Sequence, residues 1–273
     1  MLQSILIATD GSDAALAAER YGVALATRLK ARVAALSVIE ERVSLGLRAD
    51  GLGVAPGPVA AVEAFLKSRA EAAVKRVADA ARAKDCECSV DASRGIADDR
   101  IVERAQSVQL IVLGRDGDHA QGRTQLIGSV VDGVIRKTGK STLIVPAVSE
   151  LGGPVVLAFD GSPGSRVAAR LAVELAQRLG QAIHVFVDSK DKGRATARFD
   201  EVRRLLGGAQ VPVREASSTL GRPDVKVVDT ARSARAGLIV MGAYGRNRMS
   251  DYFIGSNAAA VVRTSPVAVL LAR

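Results

Sequence analysis

The sequence contains no tryptophan, and only five phenylalanines and three tyrosines stand among its 273 residues. The core must therefore be aliphatic, and the hydrophobic fraction of 48% is large enough to form one. The scarcity of aromatic side chains also removes the stacking platforms on which proteins usually bind single-stranded nucleic acid. We expect no nucleic-acid partner.

Cysteine is nearly absent as well. Cys86 and Cys88 stand two apart in KDCECSV, which is typical of a strand entering a sheet, and residues at that spacing share one face of a strand. A metal site would need further cysteine or histidine ligands nearby in the sequence, and none are present there. We therefore expect two half-buried thiols in a reducing compartment and no metal site.

No apolar run approaches the roughly 20 residues that cross a bilayer. The first residues, MLQSILIATDGSD, lack the basic region and the longer apolar segment of a secretory signal. The formal net charge is +9, but lysines and arginines are scattered along helical stretches, and local basic clusters can bind phosphate groups. These features predict a soluble, cytoplasmic protein without a membrane span.

What the sequence does contain is an internal repeat. SILIATDGSD near the start and PVVLAFDGSP from Pro154 each join an apolar run to Asp-Gly-Ser and then to a segment of helical period. QLIVLG and GLIVMG repeat further along, and each is followed by a glycine-rich loop, a Gly-Ser helix start and a last apolar strand. Fewer residues separate Asp160 from Gly242 than separate Asp10 from Gly114, so the second copy is shorter in its middle.

Strands that alternate with helices predict parallel strands joined by right-handed crossovers, with helices on both faces of the sheet. We predict an α/β protein of two tandem doubly wound domains, each with a mostly parallel five-stranded sheet. The boundary lies in SELGGP, which gives domains 1–149 and 150–273. For the Gly/Pro-rich loop at 45–58, a lid or partner surface and a plain connection remain alternatives.

The clearest candidate site lies in the second copy, in MGAYGRNRMSDYFIGSNAAAVV. Glycines let backbone amides approach an anion, and a helix start adds unpaired amides and the positive end of the helix dipole. The serine that opens the helix can cap it or bind a phosphate oxygen, and glycines also serve ordinary turns and caps. The candidate phosphate-binding residues are Gly242, Gly245, Arg246, Gly255, Ser256 and Asn257.

Asp160 and Asp10 each end the first strand of their copy, at the sheet edge where open parallel sheets bind ligands. Such a carboxylate can accept hydrogen bonds from adenine or ribose, or cap the next helix, or do both. The first copy has ten residues between Gly117 and Gly128 where the second has nine between Gly245 and Gly255, and its loop aspartates offset its arginines and repel phosphate. Its weaker candidates are Asp10, Gly114, Gly117, Gly128 and Ser129.

Signatures of several enzyme classes are missing. The chain has no G-x-x-x-x-G-K-[ST] loop, no G-x-G-x-x-G after its first strand and no G-x-S-x-G elbow. His119 and His184 lie far apart in the sequence, and the strand position of His184 favours a structural role. We therefore expect no catalytic residues and at most slow hydrolysis of a bound nucleotide.

The Asp-Gly-Ser turn, together with G-x-x-G, nine residues and G-S before the last helix, resembles the universal stress protein family over essentially the whole chain. The resemblance implies an adenine nucleotide alpha hydrolase-like fold and ATP, with or without Mg²⁺, as the ligand. It implies that Asp160 contacts the nucleoside and that the backbone near Val187 frames the base. The loop glycines and Ser256 would then hold the phosphates.

The resemblance also bears on assembly and role. In the family the last strand pairs across a two-fold axis, so TLIVP and VAVLLA imply an intrachain pseudo-dimer, and a further homodimer is left undecided. The expected function is an ATP-binding stress-response regulator or scaffold that acts on an unidentified protein partner. A carrier of a lipid-like ligand and a slow ATPase remain alternatives.

Overall fold

The computed structural model of the chain describes residues 1–41, 56–117, 128–189, 191–218, 222–244 and 255–273. The first copy consists of β1 (Ser4–Ala8), a 3-10 turn (Asp13–Ala15), α1 (Leu16–Leu29), β2 (Arg32–Glu40), α2 (Pro56–Arg82), β3 (Cys88–Gly95), α3 (Ala97–Ala105), β4 (Leu110–Gly114), α4 (Ser129–Lys137) and β5 (Ser141–Val145). The second consists of β6 (Val155–Phe159), α5 (Pro163–Leu179), β7 (Ile183–Asp188), α6 (Lys192–Leu206), β8 (Val213–Ser218), α7 (Pro223–Ser233), β9 (Leu238–Gly242), α8 (Ser256–Thr264) and β10 (Ala268–Ala272).

All of these strands belong to one ten-stranded sheet in the order β3-β2-β1-β4-β5-β10-β9-β6-β7-β8. Strands within each copy are parallel, which confirms the predicted fold class of two parallel five-stranded units. The two units are continuous, because β5 and β10 pair antiparallel with Leu143 opposite Leu270. The closing strands therefore pair within the chain, as the family resemblance implied.

The antiparallel seam fixes how the copies face each other. Within each copy, the carboxyl ends of the parallel strands lie at one edge of the sheet. Because β10 runs opposite to β5, the carboxyl edge of one copy adjoins the amino edge of the other. The last helix of each copy starts at its own carboxyl edge, so its C-terminal end reaches the carboxyl edge of the other copy.

Apolar side chains cover both faces of the sheet. On one face, α1, α2, α5 and α6 pack against the strands, and on the other face α3, α4, α7 and α8 do so. The largest fully buried side chain, Tyr21 of α1, donates its hydroxyl to the carbonyl of Gly237 in the other copy at 3.2 Å. The central core is therefore shared between the copies, and few of its side chains are aromatic, as the composition predicts.

The first copy is longer in its middle, as expected, since α2 has 27 residues and the matching α6 has 15. The predicted loop at 45–58 ends too late, because α2 begins at Pro56; its remaining part lies outside the described residues. The predicted helix stop at Gly180 is confirmed by its left-handed backbone, with φ at +66°.

The two cysteines differ slightly from the prediction. Cys88 opens β3, but Cys86 lies in the preceding turn, where its thiol donates to the carbonyl of Ala31 at 3.0 Å. Both thiols are free and partly buried, and burial raises the pKa of each.

The described residues contain no group of three or more acidic, histidine or cysteine side chains that could hold a metal ion. Among the described helices, none combines the length and apolar composition that crossing a bilayer requires.

Candidate functional site

A cleft of about 550 Å³ lies at the carboxyl edge of the second copy, a volume typical of small-molecule sites. Its polar part is formed where the first strand, the last strand and the start of α8 meet. Its apolar part is formed by Phe186, Val227, Met241 and Val261. The candidate residues that line it are Asp160, Gly242, Gly255, Ser256 and Asn257.

The Asp-Gly-Ser turn sets the position of Asp160. The Asp160 carboxylate accepts a hydrogen bond from the backbone N–H of Ser162 at 2.9 Å, and Gly161 supports the turn at a φ of +77°. The cap of α5 is Ser162, whose hydroxyl accepts from the N–H of Ser165 at 3.1 Å. The alternative that Asp160 caps the helix is therefore wrong, and the carboxylate is held at the rim of the cleft.

The first copy repeats this turn. The Asp10 carboxylate accepts from the N–H of Ser12 at 3.0 Å and from its hydroxyl at 2.6 Å, and Gly11 has a φ of +75°. A Cβ on Gly117 would lie 3.6 Å from an Asp10 carboxylate oxygen, so these two weaker candidates lie near each other. Asp10 therefore holds the same place in its turn as Asp160 does in the second copy, and the beginning of the first copy's loop lies close to it.

Both glycine-rich loops close in the same way. The N–H of Gly255 donates to the carbonyl of Ala243 at 3.0 Å, and the N–H of Gly128 donates to the carbonyl of Arg115 at 3.4 Å. Each bond ties the start of the last helix to the residue that follows the neighbouring strand. The loop interiors, including Gly245 and Arg246, lie outside the described residues.

The helix starts differ from the prediction by one residue. Gly255 and Gly128 are the N-caps, while Ser256 and Ser129 are the first helical residues, so neither serine is the cap. Within the described part of the chain, no side chain caps either helix. The first-turn amides of α8 and the positive end of its dipole therefore border the cleft, an arrangement suited to an anion.

Gly242 has a packing role in addition to its place in the cleft. A Cβ at this position would stand 2.8 Å from the carbonyl carbon of Gly164, in the first turn of α5. At the matching Gly114, the nearest atom to such a Cβ is a backbone oxygen of Asp116 at 3.5 Å, an ordinary contact. The second copy therefore brings the end of its last internal strand unusually close to the helix that follows Asp160.

Val187 is not among the residues that line the cleft. Its side chain is fully buried in the core on the α5 and α6 face, and the adjacent Phe186 lines the cleft on the other face. Phe186 is 4% exposed and lies beside Ala158 in the register of β6 and β7. Phe186 could not be distinguished from its neighbours in the sequence, because Val185, Phe186 and Val187 are all apolar.

Asp224 and Tyr244 are among the other cleft residues that were not candidates from the sequence. Asp224 follows Pro223 in the first turn of α7, and its buried carboxylate pairs with the guanidinium of Arg222 at 2.6 Å, which lowers the pKa of Asp224. Tyr244 stands two residues after Gly242 and lies under the guanidinium of Arg273, 4.6 Å from the ring centroid. The repeat of RGIADD in LGRPDV was a sequence signal for Asp224.

His184 lies in β7, as predicted. Burial and the neighbouring Arg214 lower its pKa. It is absent from the cleft lining, which agrees with a structural role. His119 lies outside the described residues.

The model of the universal stress protein family matches the chain twice, at residues 1–146 and 153–273. A universal stress protein of Mycolicibacterium smegmatis is 29% identical over 191 residues, which cover 63% of this chain and 64% of the relative. The match thus spans slightly less than two thirds of that relative's length. One from Synechocystis is 22% identical over 289 residues and covers both chains fully.

The crystal structure of a universal stress protein from Archaeoglobus fulgidus superposes with a TM-score of 0.78 at 20% identity, and covers 99% of this chain and 98% of that one. This likeness shows the same fold along the whole chain. The two matches of the family model show the same division into tandem copies that the internal repeat indicates. The chain therefore belongs to the universal stress protein family, as a member with two family domains in tandem.

Proposed function

We propose that the second copy binds an adenine nucleotide, with ATP as the ligand. The observation that carries this proposal is the convergence of Asp160, Gly242 and the amino end of α8 on one cleft. The cleft offers backbone amides for phosphate at one side, a carboxylate for ribose or base hydroxyl and amino groups, and apolar walls for a ring. These are the three chemical parts of a nucleotide.

The residues fit the phosphates through the backbone. Ser256 and Asn257 stand in the first turn of α8 with exposed side chains, beside the amides left without a side-chain cap in the described structure. Gly245 and Arg246 would add amides and positive charge from the loop. Mg²⁺, where present, would be held mainly by the phosphates. Val187 would act through its backbone, because its side chain faces the other core.

At the level of the cell, we propose a cytoplasmic stress-response regulator or scaffold in which the bound nucleotide orders the loop and changes a surface for a protein partner. Domains 1–149 and 150–273 would act as an intrachain pseudo-dimer, joined through β5 and β10. The first copy retains the turn, with Asp10 in the place of Asp160, and the helix start of the second, but the aspartates of its loop, Asp116 and Asp118, offset its arginines. We therefore expect one filled site per chain.

The experiment is equilibrium dialysis with ATP on the wild type and on Ser256→Asp. An aspartate in the first turn suits a helix N-terminus, so the fold is retained, while its charge repels phosphate. We expect at least a tenfold loss of affinity, on the order of 1.4 kcal/mol or more. Ser129→Asp makes the same change in the first copy and reports whether that copy binds. Equal ATP retention by wild type and Ser256→Asp would refute the site.

A lipid-like ligand is the second candidate, favoured by the apolar walls of Phe186, Val227, Met241 and Val261. Mass spectrometry of the purified chain separates the two. Adenine nucleotide at one equivalent supports the first proposal, whereas an acyl chain without adenine supports the carrier. Tightly bound ligand must be removed before the dialysis experiment.

A further inference from the structure

Each copy extends an arginine to the last helix of the other copy. The Arg115 guanidinium donates to the carbonyl of Ser265 at 2.8 Å and to that of Arg263 at 3.3 Å, at the C-terminal end of α8. The Arg273 guanidinium donates to the carbonyls of Ile135 and Thr138, at the C-terminal end of α4. Both cations meet unpaired carbonyls and the negative end of a helix dipole, which favours them there.

The antiparallel seam explains this reciprocity, because it places the C-terminal end of each last helix beside the carboxyl edge of the other copy. The two arginines come from different places in the repeat. Arg115 follows β4, whereas Arg273 follows β10, and its backbone N–H donates to the hydroxyl of Ser141 at 3.2 Å. The same contact between copies is therefore made twice, by arginines that stand at different positions of the repeat.

One position in each copy faces the contacting arginine. Two residues after the glycine that ends the last internal strand stand Asp116 and Tyr244. Asp116 forms an ion pair with Arg115 at 3.1 Å, and the Tyr244 ring lies 4.6 Å from the Arg273 guanidinium carbon. Stacking of arginine on an aromatic face is a favourable interaction. The two copies therefore differ in charge at the position that borders the glycine-rich loop.

Tyr244 is also part of the cleft wall. The preceding Ala243 is fixed on both sides, since its N–H donates to the carbonyl of Ala272 at 3.1 Å and its carbonyl accepts from Gly255. The backbone at this point is thus held by β10 and by the start of α8, while the ring is held by Arg273. A continuous set of contacts leads from α4 of the first copy to the ligand cleft of the second.

We propose that Arg273 is a positioning residue that orients Tyr244 as a wall of the nucleotide cleft, so that the site of the second copy depends on its contact with the first. The inference rests on the proposed function. It assigns the first copy a role in ligand binding even if its own site is empty. It also identifies the position two residues after the last internal strand, Asp116 in the first copy and Tyr244 in the second, as a determinant of which copy binds an anionic ligand.

The test compares Arg273→Ala with Arg115→Ala, which removes the reciprocal contact without touching Tyr244. Both variants lose a contact at the seam, so we expect similar falls in melting temperature. Isothermal titration with ATP is expected to show about a fivefold weaker affinity for Arg273→Ala. Arg115→Ala is expected to match the wild type. Near-ultraviolet circular dichroism should show an altered tyrosine signal in Arg273→Ala alone.

Two further variants test separately the stacking of Arg273 and the charge at position 244. Arg273→Lys keeps the charge but loses the planar stack and the forked donors, and we expect an intermediate affinity. Tyr244→Asp gives the second copy the carboxylate of the first and removes the ring from the cleft wall, and we expect it to weaken ATP binding, with the new charge partly offset by the neighbouring Arg273.

Wild-type affinity in Arg273→Ala would overturn the inference and leave the proposed function standing. An equal loss in Arg115→Ala would also overturn it, because the seam as a whole would then be responsible. A wild-type chain that binds no ATP would overturn the proposed function and this inference together.

Discussion

Replacement of Gly242 by alanine isolates the close approach of β9 and α5 at the cleft. The new Cβ would lie 2.8 Å from the carbonyl carbon of Gly164 and 3.0 Å from the N–H nitrogen of Ser165. An ordinary carbon contact is about 3.5–4.0 Å, so one backbone must move by roughly 0.7 Å or more. Neither atom belongs to a flexible side chain, and the strain cannot be relieved by a change of rotamer.

We expect Gly242→Ala to lower the free energy of unfolding by about 1–3 kcal/mol, the usual cost of overpacking a closed contact. The matched variant is Gly114→Ala, where the nearest atom to the new Cβ is 3.5 Å away. Its strand backbone has no positive φ, and we expect a change between zero and a gain of about 0.5 kcal/mol from the stiffer unfolded chain.

Urea unfolding measures both variants against the wild type, with the midpoint as the readout and an unchanged slope as the check on the mechanism. The displaced first turn of α5 also carries Ser162, which fixes Asp160. Gly242→Ala should therefore weaken ATP binding as well. Equal midpoints for the two alanine variants would refute the packing argument, and loss of binding without loss of stability would assign Gly242 to the ligand alone.

Three other predictions test different parts of the chain. Arg76→Ala leaves the buried Glu19 carboxylate without its paired guanidinium, 2.6 Å away, and should cost about 2 kcal/mol in urea unfolding, whereas Arg82→Ala, on an exposed pair, should cost under about 0.5 kcal/mol. The pairing with Arg222 lowers the pKa of Asp224, so its contribution to stability is complete above about pH 4 and is lost as the pH falls through the lowered pKa; Asp224→Asn should therefore flatten the fall in unfolding midpoint below about pH 4. Tyr21→Phe removes a buried hydrogen bond between the copies and should lower stability by about 1 kcal/mol in the same assay.

The sequence was sufficient to predict the fold because several local signals agreed. The alternation of strands and helices, the apolar runs LIVLG and LIVMG and the repeated Asp-Gly-Ser all favour the same parallel units. The turn at Asp160 could also be located, since glycine and a short polar side chain specify its backbone. These signals do not show which side chains the neighbouring helices and strands contribute to the cleft.

Val187 and Phe186 show one limit. Val185, Phe186 and Val187 of β7 are all apolar, so the pattern of polar and apolar residues does not show which of these neighbours faces the ligand. The choice depends on which helices cover each face, and those contacts are distant in sequence. The one-residue shift from Ser256 to Gly255 at the helix cap is a different limit, because either residue can stand at an N-cap.

The two copies share their backbone features at the candidate site and differ in side chains. Both copies have the Asp-Gly-Ser turn, the closing hydrogen bond of the loop and a glycine cap before the last helix. At the position two residues after the strand, however, Asp116 places a carboxylate where Tyr244 places a ring. A bare carboxylate opposes a polyphosphate at contact range by a few kcal/mol at an effective dielectric constant of about 20, and a ring does not. The ion pair with Arg115 offsets part of that repulsion at Asp116. On the proposed function, we therefore expect the second copy to bind an anionic ligand more tightly than the first, while the first copy contributes the α4 carbonyls that hold Arg273 beside the cleft of the second.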